Sequence, residues 1–155
     1  MGEDRHDGWF VGLEVVVTMR FYIATAFGNS RVHNAVRDAL VGHGHEITYD
    51  WTTPDCGEGV HDPSYVAKQE IDGVLEADFV CILLPGGRGT HTELGVALGQ
   101  RIPVFLHSFD EGDLLDASGS MCPFYYATQV ARFHGSLSEY IEQMLHWTRE
   151  GEFGA

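Results

Sequence analysis

One stretch, residues 77–99, constrains the fold of this chain more than any other. It opens with an uninterrupted apolar run, residues 79–84, which is typical of a strand buried on both faces of a parallel sheet. A glycine-rich turn follows, and then a helical pattern whose first turn carries one carboxylate, Glu93. Ligands of open parallel sheets bind beyond the carboxyl ends of the strands. The stretch therefore predicts a reactive group at that edge, and Glu93 is its first candidate.

Strand and helix patterns alternate along the rest of the chain. The predicted strands are residues 20–25, 46–50, 79–84, 103–106 and 129–133. The predicted helices run from residue 30 to the glycines at 42 and 44, and over residues 64–76, 91–100 and 136–147. This order predicts a single α/β domain, a flavodoxin-like or Rossmann-like parallel sheet of about five strands flanked by helices. We expect the domain to span residues 19–150. Residues 1–18 would form a leader, either an extra strand or disordered, and residues 151–155 a tail.

Composition excludes several classes of protein. The chain has 155 residues, a net charge of -14 and only nine Lys and Arg, so no basic surface exists for polymeric nucleic acid. The apolar runs are too short to span a bilayer, and the acidic start lacks the basic region of a signal peptide, so we expect a cytoplasmic protein without membrane partners. Cys56, Cys81 and Cys122 lack paired spacing and the nine His are scattered. We therefore expect reduced thiols, no metal and no cofactor.

The loops after the predicted strands bring further side chains to the same edge. The candidates for substrate binding are Thr25, Phe27, Asn29, Arg31, Asp50, Trp51, Gly87, Arg88, Gly89 and His91. Phe27 and Trp51 are suited to stacking on a base. Backbone N–H groups of residues 29–31, with the Arg31 and Arg88 guanidinium groups, are suited to a phosphate. The second predicted helix has an inner face of Ala67, Ile71, Val74 and Leu75. Glu70 adjoins Ile71 and Ala67, and we expect it to face inward.

These residues together resemble the nucleoside 2-deoxyribosyltransferase-like proteins, a family that includes 2'-deoxynucleoside 5'-phosphate N-hydrolases and cytidylate hydrolases. The resemblance covers residues 20–106. It rests on an opening Phe-Tyr-Ile-Ala strand, an acid eight positions before Asp78, and a glycine turn leading to Glu-Leu-Gly. It implies that Glu93 is the nucleophile, that Glu70 is the second acid, where relatives have Asp, and that Tyr22 is a third catalytic residue.

The resemblance also implies the reaction and the assembly. The reaction is cleavage of the N-glycosidic bond of a (deoxy)nucleoside or nucleoside 5'-monophosphate, by hydrolysis or by deoxyribosyl transfer. The assembly is a homodimer or higher homo-oligomer, in which Ser120 is the nearest match to a phosphate-binding serine from a neighbouring subunit. The aromatic residues 124–126 lie in the segment that would reach the neighbour's site. The first loop departs from the family's glycine-serine and arginine pattern, which bears on phosphate recognition.

The chemistry agrees with these roles, and other interpretations stay open. One carboxylate must capture the oxocarbenium-like C1' while a second group protonates the departing base. We expect the helix dipole to keep Glu93 ionised. Alternatively, Glu93 closes a capping box with Thr90 and Glu70 is a solvated surface charge. Two other functions share this architecture: a TIR-like NAD-cleaving enzyme, and a non-catalytic nucleotide-binding or sensor domain.

Overall fold

The computed structural model of the chain describes residues 17–53, 62–115 and 122–151. The predicted leader up to residue 16, Cys56, Ser120 and the tail from residue 152 lie outside the described residues. Five parallel strands form one sheet in the order β2-β1-β3-β4-β5. They are β1 (Arg20–Thr25), β2 (Glu46–Ile47), β3 (Phe79–Leu83), β4 (Val104–Ser108) and β5 (Val130–His134). This arrangement confirms the predicted fold class.

Helices cover both faces of the sheet. They are α1 (Ser30–Gly42), α2 (Pro63–Leu75), α3 (Arg88–Gly99), α4 (Gly112–Leu115) and α5 (Leu137–Glu150). Side chains of a strand alternate between the faces, so β1 sends Phe21 and Ile23 to one apolar cluster with α1 and α5. The same strand sends Tyr22 and Ala24 to a second cluster with α2 and α3. The sheet is therefore buried on both sides, as its continuous apolar runs predicted.

The crevice of the sheet opens between β1 and β3. These neighbouring strands pair from Phe21 with Phe79 to Thr25 with Leu83, and the Thr25 hydroxyl donates to the Leu83 carbonyl (2.7 Å). After β1 the chain passes to α1 on one face, and after β3 it passes to α3 on the other. Ligands of doubly wound sheets bind at this switch of direction. The fold thus brings the loop after β1 and the turn before α3 to one place.

Helix α3 begins at Arg88, three residues earlier than the sequence predicted. The Thr90 hydroxyl oxygen accepts a hydrogen bond from the backbone N–H of Gly87 (3.1 Å), which stabilises this earlier start. Glu93 therefore lies in the second turn of the helix and not in the first. The prediction that Glu93 lies in the first turn was wrong, because the helix begins three residues earlier than predicted.

Helix α2 faces the sheet with a different side from the predicted one. The sequence predicted an inner face of Ala67, Ile71, Val74 and Leu75, but only Val74 of these is buried, and Ile71 is 39% exposed. Gly73 is buried beside Val74 because it packs directly on the ring of Tyr22. This contact rotates the helix so that position 70, one turn before Gly73, turns toward the crevice.

Candidate active site

A cavity of about 440 Å³ lies at the crevice between β1 and β3. Its walls are the loop after β1, Trp51 of the turn after β2, one face of α2 and the first turns of α3. Its lining residues are Thr25, Ala26, Phe27, Trp51, Pro63, Val66, Ala67, Glu70, Gly87, Arg88, Gly89, Thr90 and Glu93. The two predicted carboxylates thus share one cavity with the predicted aromatic pair and the glycine turn.

Glu93 and Tyr22 form the buried centre of this site. Glu93 is 7% exposed and Tyr22 is fully buried. The Tyr22 hydroxyl donates a short hydrogen bond to Oε1 of Glu93. Burial raises the pKa of Tyr22, and the nearby Glu93 and Glu70 carboxylates raise it further. Tyr22 therefore stays protonated and serves Glu93 as a hydrogen-bond donor.

The pKa of Glu93 is raised from 4.5 to about 8, chiefly because the carboxyl is buried and further because Glu70 is close. The hydrogen bond from Tyr22 opposes this shift. The helix dipole does not offset this shift as the sequence predicted, because the second turn lies beyond the reach of most of that field and desolvation dominates. Burial therefore favours the protonated form of Glu93 at neutral pH. The capping-box interpretation is also wrong, since Thr90 caps the helix and Glu93 contacts Tyr22.

Glu70 lies on the wall of the cavity, half-buried on α2. Burial raises the pKa of its carboxyl above the usual range. Its charge in turn contributes to the raised pKa values of Glu93 and Tyr22. Glu70 is thus electrostatically coupled to Glu93 and Tyr22, whereas a solvated surface charge would shift the pKa of neither residue.

A glycine on α2 allows this close arrangement. A Cβ added at Gly73 would lie 2.9 Å from Cδ2 of Tyr22 and 3.0 Å from Cβ of Tyr49. Any other residue would therefore push α2 away from β1 or displace the tyrosine ring. Gly73 places Glu70, one turn earlier, beside the Tyr22 and Glu93 pair. No local pattern around Gly73 in the sequence indicated this role.

Aromatic rings and a helix start complete the lining. Phe27, 76% exposed, and Trp51 meet edge to face with ring centroids 5.2 Å apart. Apolar side chains of α2, from Pro63 to Ala67, add to this aromatic part of the wall. Gly87, Arg88 and Gly89, at the N-terminus of α3, line another part. The cavity thus combines an apolar surface, two carboxyl groups and a helix N-terminus, which favours anions.

The structure does not bring four predicted binding residues to the lining. The Asn29 amide donates to the Thr25 hydroxyl (2.9 Å), and Arg31 points to solvent from the first turn of α1. Asp50 forms an ion pair with Arg37 (2.9 Å), so its charge is already compensated. The His91 ring bridges the Gly87 carbonyl (2.8 Å) and the Tyr125 hydroxyl (2.7 Å).

Helix α2 contributes more to the cavity than the predicted Glu70, because Pro63, Val66 and Ala67 line it as well. Asp62 caps this helix, since its carboxylate accepts the N–H of Ser64 (2.9 Å), and Pro63 occupies the first helical position. Residues 63, 66, 67 and 70 then follow the spacing of one helix face. This pattern could have predicted the wall of the cavity. A capped helix start is followed by small or apolar residues at this spacing, and Glu70 is the last residue of the row.

Among the residues that the structure describes, no group of three or more His, Cys, Asp or Glu lies close enough together to hold a metal ion. Across the same residues, no helix combines the length and the apolar character needed to cross a membrane.

Comparison with known proteins identifies the fold. No protein-family model matches the sequence, and no curated protein shows significant similarity to it. Among solved structures, the chain is similar to the CMP N-glycosidase BcmB of Clostridium botulinum, with a TM-score of 0.59 and 17% identity over 83% of this chain and 98% of that one. It is also similar to a conserved protein from Enterococcus faecalis V583, with a TM-score of 0.53 and 15% identity over 84% of this chain and 99% of that one. At these identities the likeness concerns the fold.

Proposed function

We propose that this chain is an N-glycosidase of the nucleoside 2-deoxyribosyltransferase-like family, acting on nucleosides or nucleoside 5'-monophosphates with Glu93 as nucleophile. The observation that carries the proposal is the buried hydrogen bond from Tyr22 to Glu93, because Glu93 lines a cavity together with Glu70. The Glu-Leu-Gly motif after the glycine turn supports the family assignment. The fold shared with a CMP N-glycosidase supports the reaction class.

The two carboxyl groups divide the reaction between them. An ionised oxygen of Glu93 attacks C1', and the C1'–N bond breaks with its electron pair passing to the base. Glu70 donates a proton to the departing base, for which a raised pKa is favourable. Water then attacks C1' of the glycosyl-enzyme, Glu70 takes a proton from that water, and Glu93 leaves as a carboxylate. A second base in place of water would give transfer.

Tyr22 has a separate role in this scheme. Its hydroxyl holds one oxygen of Glu93 by a hydrogen bond, which fixes the direction of the other oxygen toward the cavity. The same bond stabilises the carboxylate and so lowers the pKa of Glu93 relative to burial alone. Positive charge that develops at C1' favours the ionised form further in the transition state.

The substrate class is tested by product analysis. The chain is incubated with a panel of nucleosides, nucleoside monophosphates and NAD, and released base is separated by chromatography. We expect free base from one or more nucleosides or monophosphates. Free base from NAD alone would favour the TIR-like alternative, and binding without release would favour a sensor. Either result would overturn the proposal.

The phosphate of a monophosphate would bind at the start of α3. Gly87, Arg88 and Gly89 line the cavity there, whereas Arg31 is exposed and lies off the lining. We therefore expect Arg88→Ala to raise KM for a monophosphate about tenfold more than KM for the matching nucleoside. Arg31→Ala is the matched control and should change neither value much. Equal effects of Arg88→Ala on both substrates would mean that Arg88 does not bind phosphate.

We also propose a homo-oligomer. Phe124 is 62% and Tyr126 40% exposed between β4 and β5, while Tyr125 is buried and bonds to His91. Exposed aromatic side chains of this kind are typical of interfaces. Analytical ultracentrifugation tests the assembly, and a fully active monomer would contradict it.

A further inference from the structure

The turn after β2 is tied to helix α1 by one guanidinium group. Nη1 of Arg37 donates to Oδ2 of Asp50 (2.9 Å) and to the Thr52 hydroxyl oxygen (3.0 Å). The same nitrogen lies 3.0 Å from the side-chain oxygen of Asn34. Asp50 and Thr52 are the neighbours of Trp51 in the chain, so both sides of Trp51 are fastened to α1.

Asp50 and Thr52 are also joined to each other. Oδ1 of Asp50 accepts the backbone N–H of Thr52 (2.9 Å) and lies 2.6 Å from its hydroxyl oxygen. Burial opposes ionisation of Asp50, but the hydrogen bonds from Thr52 and Arg37 outweigh it and hold the pKa of Asp50 below the usual range. The side chains of Arg37 and Asp50 are only 21% and 11% exposed. A pair as shielded as this one holds its geometry better than a surface pair.

The Trp51 ring is held from the same helix. His33, one turn before Arg37 on α1, is fully buried and meets the Trp51 ring edge to face at 4.9 Å. Phe27 contacts the ring from the loop after β1. Trp51 lines the cavity, whereas Arg37, Asp50 and Thr52 do not. The polar network therefore acts on the cavity through Trp51.

We infer that Arg37 is a positioning residue that fixes the Trp51 wall of the cavity, and through it the affinity for the base of the substrate. The inference rests on the proposed function for the identity of that ligand. It assigns to the predicted binding residue Asp50 a different task, which is to anchor Arg37. Since Arg37 does not line the cavity, its loss should act on substrate binding more than on bond cleavage.

The kinetic test compares variants of Arg37 with a matched arginine. Arg37→Ala should raise KM about tenfold and change kcat less than about twofold. Arg37→Lys keeps a cation near Asp50 and should recover part of the loss. Arg20→Ala is the control, because Arg20 forms an ion pair with Glu76 (2.8 Å) at the start of β1, the opposite end of the strand from the cavity.

A structural readout separates positioning from function. The chain is labelled with fluorotryptophan, and the fluorine NMR signal of Trp51 is assigned by its loss in Trp51→Phe. Arg37→Ala should shift or broaden this signal, and Arg20→Ala should not. Thr52→Val removes the hydroxyl contacts with little change of shape, and it should also shift or broaden the Trp51 signal. If Arg37→Ala does not fold, Thr52→Val decides whether the network positions Trp51.

Three outcomes would overturn the inference. One is a Trp51 signal unchanged in Arg37→Ala and Thr52→Val. Another is an unchanged KM with a lower kcat, and the third is a lower melting temperature as the only effect. If the wild-type chain cleaves no substrate of the panel, the proposed function fails, while the Trp51 signal still decides whether Arg37 positions this wall.

Discussion

Two fully buried tyrosines on opposite faces of the sheet show what separates a structural group from a chemical one. Tyr140 of α5 donates to the Phe105 backbone carbonyl (2.8 Å) and packs against the ring of His107 at 4.9 Å. Tyr22 of β1 donates to the Glu93 carboxyl, which lines the cavity. Burial raises the pKa of both hydroxyls. Burial alone therefore does not mark a site, whereas a partner that can change its charge and meet a ligand does.

The same contrast extends to the two faces. The cluster under α1 and α5 is built mainly of aliphatic and aromatic side chains, with Phe79, Phe105 and Trp147 in mutual contact. The cluster under α2 and α3 lies beside the cavity, which Glu70 and Glu93 line. We expect substitutions in the first face to change stability, and those in the second to change catalysis as well.

The largest expected effect is that of Glu93→Gln. The amide keeps the size of the side chain and an oxygen for the Tyr22 hydrogen bond, but it cannot act as a nucleophile. We expect kcat to fall by at least about 10³-fold while the thermal unfolding curve stays cooperative. Glu76→Gln, on an exposed residue, is the control. Near-normal turnover by the Glu93 variant would assign the reaction to another residue.

Removing each tyrosine hydroxyl tests the comparison directly. Tyr22→Phe should lower kcat by about 10²-fold, because the Glu93 carboxylate loses the donor that orients and stabilises it. Tyr140→Phe should cost about 1 kcal/mol of stability and leave kcat unchanged. Steady-state kinetics and urea unfolding on both variants measure these effects. Equal kinetic losses would show that the two hydroxyls do not differ in role.

The pKa of Glu93 predicts how activity and stability depend on pH. Since Glu93 must be ionised to attack and Glu70 must be protonated to donate to the base, kcat/KM should pass through a maximum. Ionisation of Glu93 makes it rise on the acid side, and loss of the Glu70 proton makes it fall on the basic side. At Glu93 the folded state binds more protons than the unfolded chain between pH 4.5 and about 8, so the contribution of Glu93 to the free energy of unfolding should fall as pH rises through this window.

Urea unfolding at several pH values, wild type against Glu93→Gln, isolates this contribution, because the remaining titrating groups are common to both chains. The variant should lose less stability than the wild type between pH 5 and pH 8. Parallel curves would mean that Glu93 titrates near the usual carboxyl range.

The smallest expected effect is on packing. Gly73→Ala should destabilise the chain by about 1 to 3 kcal/mol, since the new Cβ meets the Tyr22 ring and Tyr49. Gly95→Ala is the matched control on α3, where a Cβ would meet nothing within 4 Å, and it should stabilise by up to about 1 kcal/mol. Thermal unfolding measures both. A Gly73→Ala variant as stable as the wild type would show that α2 can move away from β1.

Local patterns in the sequence determined much of the fold. The strand bounds of β1 were predicted without error, because the four consecutive apolar residues 21–24, between Arg20 and the loop after Thr25, are typical of a buried strand. The inner face of α2 was not predicted, because Ile71 and Leu75 suggested one side while the contact of Gly73 with Tyr22 selected another. An apolar residue predicts burial only on average. The orientation of α2 depends instead on the close contact between Gly73 and the ring of Tyr22.

The sequence by itself determined that a carboxylate, Glu93, follows a buried strand and a glycine turn, and hence lies at the ligand edge of a parallel sheet. Only the tertiary structure decided that Glu93 accepts a hydrogen bond from Tyr22, which is 71 residues away in the chain. It likewise decided that Asp50 forms an ion pair with Arg37. It also decided that burial raises the pKa of Glu93 and favours its protonated form at neutral pH. Strand and turn patterns are local properties of the chain, but desolvation and the choice of a hydrogen-bond partner arise only when distant elements pack together.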